Sequence, residues 1–197
     1  MAIIEGERNV QKHAKELLKE RADDMEKRLR DTEKTVINNA QYLRRRQLEV
    51  SNVPTAVPDE QLTRVITDFL RTTGEDVKEA DIDKCHRLSR QTTVIMEFGS
   101  RKVRDGILMS RKKLKDKKEE LQAIGLDNSF INESLCYEYR QMDYVCRRLK
   151  KSELIKDTWY FNGKLFVVDY AGKKHQIRHI TDTYVFSSVE AIATYLK

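Results

Sequence analysis

The sequence predicts an α+β protein: a helical arm, a module of β-α-β-β-α-β order, and a smaller module built on a helix and a β-hairpin. Three observations predict it. A seven-residue apolar repeat runs from Leu18 to Leu43. Periods of two and of 3.6 then alternate between Gln47 and Leu135, and aromatic strands flank an Asn-Gly pair further on. They divide the chain into an arm over 1–46, a first module over 47–135 and a second over 136–197.

In the arm, Ala22, Leu29, Val36 and Leu43 form one row and Leu18, Met25, Thr32 and Asn39 the other, with steps alternating four and three. Set as a and d, the rows place Arg21 and Arg28 at g and Glu26 and Glu33 at e, five residues later. That is the attractive pairing of parallel helices, and Thr32 and Asn39 are suited to fixing register. Leu18, Ala22, Met25, Leu29, Val36 and Leu43 are therefore the expected self-association residues, with dimer and trimer both open. Arg8 and Lys15 break the seam upstream. The competing reading is an amphipathic helix folded back onto its own domain.

After Arg44, Arg45 and Arg46, the alternation of Leu48 and Val50 predicts a strand over 47–53. Asp59 and Glu60 suit a helix start. Leu62, Val65, Ile66, Phe69 and Leu70 recur at helical spacing, and Gly74 stops the run. Strands follow at Ile82 to Leu88 and Thr93 to Phe98. Ser100 caps a helix with Val103, Ile107 and Leu114 on one face, and a last strand spans Ser129 to Leu135. This order is that of the ferredoxin-like or RRM fold.

In the second module, Tyr139, Met142, Val145, Cys146 and Leu149 mark a helix. Thr158 to Phe161, Asn162-Gly163 and Lys164 to Tyr170 form a hairpin with a type I′ turn. Its register pairs Phe161 with Lys164, Tyr160 with Leu165 and Trp159 with Phe166. One apolar face packs on the helix; the other needs a second cover. Ser187 and Glu190 have capping-box spacing for a final helix holding Val189, Ile192 and Leu196.

The chain holds 38 Lys and Arg against 32 Asp and Glu, a formal charge of +6. That balance suggests a polyanionic partner, with a merely basic soluble protein as the alternative. Three widely spaced cysteines give no disulfide framework. Without a membrane-length apolar run or a signal-like N-terminus, the sequence predicts an intracellular protein, in cytoplasm or nucleus.

Between Arg101 and Lys118 lie nine Lys or Arg and two acids. At 100° per residue Arg104, Arg111 and Lys115 form a stripe beside the apolar face, and with Arg101 and Lys112 they suit phosphate contacts. Arg140, Tyr144, Arg147 and Lys151 step by four, three and four, a second stripe in which a tyrosine stands among cations. Lys164, Lys173, Lys174 and Arg178 add a basic edge near the hairpin. For each group the alternative is a solvated charged face. Trp159, Phe161 and Phe166 share a hairpin face that serves as core or as a stacking platform.

Other chemistries lack support. Cys85-His86, Cys136, Cys146, His175 and His179 do not have zinc-site spacing, and no phosphate-cradling glycine loop exists. Asp83 and Glu97 would suit a nuclease metal, but that pattern needs a lysine where Gly99 stands. The expectation is a non-enzyme without cofactor, metal or small-molecule substrate.

Several short elements then fall into a familiar order: Tyr42-Leu43-Arg44-Arg45 before Leu48-Glu49-Val50; Asp83-Lys84-Cys85-His86-Arg87-Leu88; Arg104-Asp105 with Arg111-Lys112-Lys113-Leu114; Ile131-Asn132-Glu133-Ser134-Leu135; and Trp159 with Asn162-Gly163-Lys164. From Tyr42 to about Thr183 the chain resembles the first-open-reading-frame proteins of non-LTR (LINE-type) retrotransposons. Its C-terminal part is also similar to the baculovirus few-polyhedra (FP) proteins. The resemblance implies a coiled-coil oligomer whose RRM-like and FP-like C-terminal domains clamp single-stranded nucleic acid as a packaging or chaperone protein. On that analogy Arg44 to Arg46, Arg101, Arg104, Arg111 and the second-module stripe are contacts. Thr93 to Phe98 lacks the aromatic motif of an ordinary RRM, so grip through phosphates is expected rather than stacking on that sheet. The alternative function is a viral-type structural or trafficking protein working through protein contacts.

Overall fold

The computed structural model describes residues 2–88 and 92–196, with side chains from residue 11 onward. Helix α1 (Ala2–Leu43) leads directly into β1 (Gln47–Ser51) through the three arginines. Leu18, Met25, Leu29, Val36 and Leu43 are between 59% and 75% exposed, and Ala22 is exposed too. The seam therefore does not fold back onto its own domain. A different face of the same helix does: Ile37 is buried in the second core with Ala40 packed beside it. The Gln41 carboxamide donates to the Ser134 carbonyl and accepts from the Cys136 N–H. Burying an isoleucine side chain contributes about 1.5–3 kcal/mol, enough to hold the helix end against the rest.

The first sheet contains β1, β2 (Ile82–Arg87), β3 (Val94–Phe98) and β4 (Phe130–Glu133) in the order β2-β3-β1-β4. Every pairing is antiparallel. Helices α2 (Leu62–Arg71) and α3 (Arg101–Ser110) supply Ile66, Phe69, Leu70 and Ile107 to a core with Leu48, Val50, Met96 and Phe98. Gly74 stops the α2 segment at φ +86°, a backbone only glycine adopts cheaply. Ser100 caps α3 by accepting from the Lys102 N–H.

α3 is shorter than its periodicity suggests. It ends at Ser110, a 3-10 segment follows over Arg111–Asp116, and a short α4 (Lys118–Ala123) comes before β4. Both were missed because the charge run holds few apolar markers. At three residues per turn the 100° spacing fails, so Arg104, Arg111 and Lys115 do not form one stripe.

The second core lies between α5 (Tyr137–Lys151) and a three-stranded antiparallel sheet, β5 (Asp157–Phe161), β6 (Lys164–Val168) and β7 (Lys174–Ile177), ordered β5-β6-β7. The hairpin register is the expected one. Asn162 and Gly163 have φ of 54° and 71°, as a type I′ turn requires. Tyr139, Met142, Val145, Cys146 and Leu149 meet Leu165, Val167 and Ile177. On the other hairpin face Trp159 and Phe166 stack at 5.8 Å, and Lys174 lies 4.0 Å from the Phe166 ring centroid. Lys174 thus gives part of the missing cover. β7 was not expected, its sequence Lys-His-Gln-Ile being too polar to read as a strand. Helix α6 (Val189–Tyr195) is capped by Ser188, which accepts from the Ala191 N–H, and not by Ser187 as the spacing suggested. No helix among the described residues is long and apolar enough to cross a membrane.

Candidate nucleic-acid interface

The two cores meet at the hairpin tip. The Gly163 N–H donates to the Glu133 carboxylate at 3.1 Å, Arg101 donates to the Asn162 side-chain oxygen, and Arg140 donates to Glu49. Beside this junction is a cleft of about 420 Å³ between the end of α1, the start of α3 and the β5–β6 turn. Arg45, Arg101, Lys164 and Arg178 line it. They come from the arm, the first module and the second, so folding gathers cations that are far apart in sequence.

Arg101 is held near Asp105 at 3.3 Å. The Arg45 guanidinium lies 3.8 Å from the Tyr42 ring centroid, which fixes its direction without neutralising its charge. Among the described residues Arg45, Lys164 and Arg178 make no ion pair. The one acid in the lining, Glu133, is paired within the fold through its Oε2. Its side chain is 7% exposed and pairs at 3.1 Å with Arg104, itself 4% exposed.

Three further clefts continue from the first, each sharing lining residues with the one before it. One of about 230 Å³ shares Arg101 and Asn162 with it and adds Phe161. A third of about 540 Å³ shares Arg111 and Tyr160 with that one and adds Arg140, Arg147, Lys150 and Trp159. The last, about 350 Å³, shares Arg111 and Asn132 and adds Lys112, Lys115 and Lys118. Arg111, kept in place by a bond to the Leu108 carbonyl, is common to the last three. The row is not uniformly positive. Asp143 pairs with Arg147 at 2.8 Å, and burial pushes its carboxyl up from the usual range despite that arginine.

No protein-family model matches the chain, and no curated protein matches it.

Several expected contact residues are engaged inside the fold or stand outside these clefts. Arg104 is the plainest correction: it lines the first two clefts but turns its guanidinium inward, to Asp105, Glu133 and the Gln47 carbonyl, with its side chain 4% exposed. Arg46 is tied to Glu97 at 2.9 Å and Asp83 at 3.5 Å. Arg44 donates to the Ala40 carbonyl, one turn back. The α5 stripe splits: Arg140 and Arg147 line the third cleft, while Tyr144 and Lys151 are exposed outside its lining. Lys173 sits exposed at the β6–β7 turn, and Lys174 is taken up by the aromatic pair. Sequence reasoning counted Lys118 in its basic run without singling it out, and missed Lys150 and Asn162. Lys150 adjoins the Lys151 that was read, so spacing alone could have included it. Nothing in the sequence marks Asn162 beyond its turn role.

Proposed function

We propose that the chain is a non-enzymatic nucleic-acid-binding protein of packaging or chaperone type, holding a single strand along the adjoining basic clefts where its two cores meet. The observation that carries this reading is the convergence of Arg45, Arg101, Lys164 and Arg178 on one cleft from three separate segments. Phosphate binding needs charge and reach, and a row of such clefts suits a polymer better than a single small anion. Trp159 and the exposed Phe161 add aromatic surface to the second and third clefts, where bases can stack.

The β2-β3-β1-β4 sheet order with α2 and α3 on one side fits the RRM-like reading of the first module. Its opposite sheet face carries Glu49 and Glu97, engaged by Arg140 and Arg46, which favours a grip beside the sheet over one upon it. The exposed seam of α1 and its g-to-e charges support self-association through a coiled coil, in line with the resemblance to retrotransposon first-open-reading-frame and baculovirus FP proteins. An oligomer would multiply contacts along one strand.

The second reading, a structural or trafficking protein acting through protein contacts, draws on the arginines engaged internally at Arg46, Arg104 and Arg140. Fluorescence anisotropy with a 5′-labelled single-stranded 20-mer, titrated across salt, separates the two. Nucleic-acid binding predicts an affinity loss of roughly 10³-fold or more between low and moderately high salt. A flat response, or no binding, supports the trafficking reading.

A further inference from the structure

The second cleft carries two exposed apolar side chains, one from each module. Met109, near the end of α3, is 79% exposed, more than any other large apolar side chain among the described residues, and Phe161, the last residue of β5, is 65% exposed. Both line this cleft together with the more deeply placed Leu108 and Tyr160. A single exposed apolar side chain needs no explanation. Here, however, the other rings on the same hairpin face are already used: Trp159 and Phe166 stack at 5.8 Å, and Lys174 lies 4.0 Å from the Phe166 ring centroid. Among the described residues Phe161 has neither a ring nor a cation against it. Its position is fixed all the same, because the next two residues are tied to the first module. Asn162 accepts from Arg101, and the Gly163 N–H donates to Glu133. Met109 is followed by Ser110, whose hydroxyl donates to Glu75, and by Arg111, which donates to the Leu108 carbonyl. Both side chains therefore stand on anchored backbone.

We infer that Met109 and Phe161 clasp one base of the bound strand between the two modules, so that the second cleft is an anchoring point whose hold comes from stacking rather than charge. A base offers a flat π-face to the Phe161 ring, and the flexible, polarizable Met109 side chain adapts to the other face. Arg101 and Arg111 line the same cleft, so the phosphates flanking that base meet cations. Arg101 shares its charge with Asp105 at 3.3 Å, whereas Arg111 makes no ion pair among the described residues. At about 230 Å³ the cleft falls below the usual range of small-ligand sites, which suits one base rather than a larger ligand. The basic clefts that continue on either side favour a strand over an apolar peptide, because regularly spaced phosphates can follow them. Since the two side chains belong to different modules, the clasped base also ties the modules together.

The inference rests on the reading that these clefts hold a single strand, and the test distinguishes the two failures. The full chain is titrated with a labelled oligo-dT 20-mer and with an abasic strand of the same phosphate count, then again as Phe161→Ala, Met109→Ala and the double variant. The expected result on oligo-dT is an affinity loss of about fivefold to twentyfold for Phe161→Ala and about twofold to fivefold for Met109→Ala, the lower part of the range for a stacked base because the site is open to water. Salt slopes and melting temperatures should be unchanged, since no charge and no buried contact is lost. The double variant should lose less than the product of the two, because a base released on one side is held less well on the other. On the abasic strand all variants should match the parent. Unchanged binding of oligo-dT by the variants overturns the clasp and leaves the phosphate track standing. Equal losses on both strands overturn it as well, since the contact is then not to a base. Failure of the parent to bind either strand, the outcome expected if the pair receives an apolar peptide instead, overturns both readings.

Discussion

Replacing Arg104 by methionine tests whether this residue is part of the fold or of the grip. The substitution keeps a long apolar stem and removes the guanidinium, whose side chain is 4% exposed against 7% for Glu133. Removing one partner of a buried pair costs about 3–5 kcal/mol, because the other charge stays buried without its counterion. Two features place the expectation at the lower end. Glu133 keeps the Gly163 N–H, and the lost contact to Asp105 involves a carboxylate already 40% exposed, where screening leaves little. The expected loss is therefore about 3 kcal/mol, a fall in melting temperature of about 6–12 °C for a chain of this size. Adding Glu133→Gln should recover about 2 kcal/mol of it, since the orphaned charge is then gone. Urea denaturation followed by circular dichroism measures both. A loss under about 1 kcal/mol together with weaker oligonucleotide binding would refute the reasoning, because Arg104 would then leave its internal partners to meet the ligand.

Leu29→Asp, on the exposed seam, should reduce the sedimenting mass to that of a monomer and weaken binding through lost avidity, while Ile37→Ala should cost about 2–4 kcal/mol without changing that mass. An unchanged mass for Leu29→Asp would end the coiled-coil proposal. Burial pushes the Cys146 thiol up to about 12, so at pH 8 it should resist a thiol reagent in the native protein and react only in denaturant; rapid labelling of Cys146 in the folded state would contradict the core described. For Asp143 the sign follows from its raised carboxyl: the contribution to stability is full below the unfolded-state value and is lost as pH rises through the folded one. Asp143→Asn should therefore be at least as stable at neutral pH and bind oligonucleotide more tightly, as both a melt and a titration would register.

Much of this architecture was legible in the chain. The α5 stripe from Tyr139 to Leu149, the α2 repeat and the Asn162-Gly163 turn each obey a local rule, and each is where its rule puts it. The heptad rows were also readable, but the second use of α1 was not. Ile37 and Gln41 lie off the seam, and their burial depends on a core made by residues about a hundred positions away. The fate of the arginines was illegible for the same reason. Arg101, Arg104 and Arg111 look alike in sequence; only the position of Glu133 at the end of β4 takes Arg104 inward.

The central claim is that cations brought together by folding form a track for an anionic strand. Its most direct measurement is the slope of log Kd against log salt for the parent chain and for Lys164→Ala with Arg178→Ala, two cleft cations with no ion pair among the described residues. If each neutralises one phosphate, the slope should fall by about 1.4, and affinity with it, at unchanged melting temperature. An identical slope and affinity in the double variant would show that the strand, if bound at all, lies elsewhere.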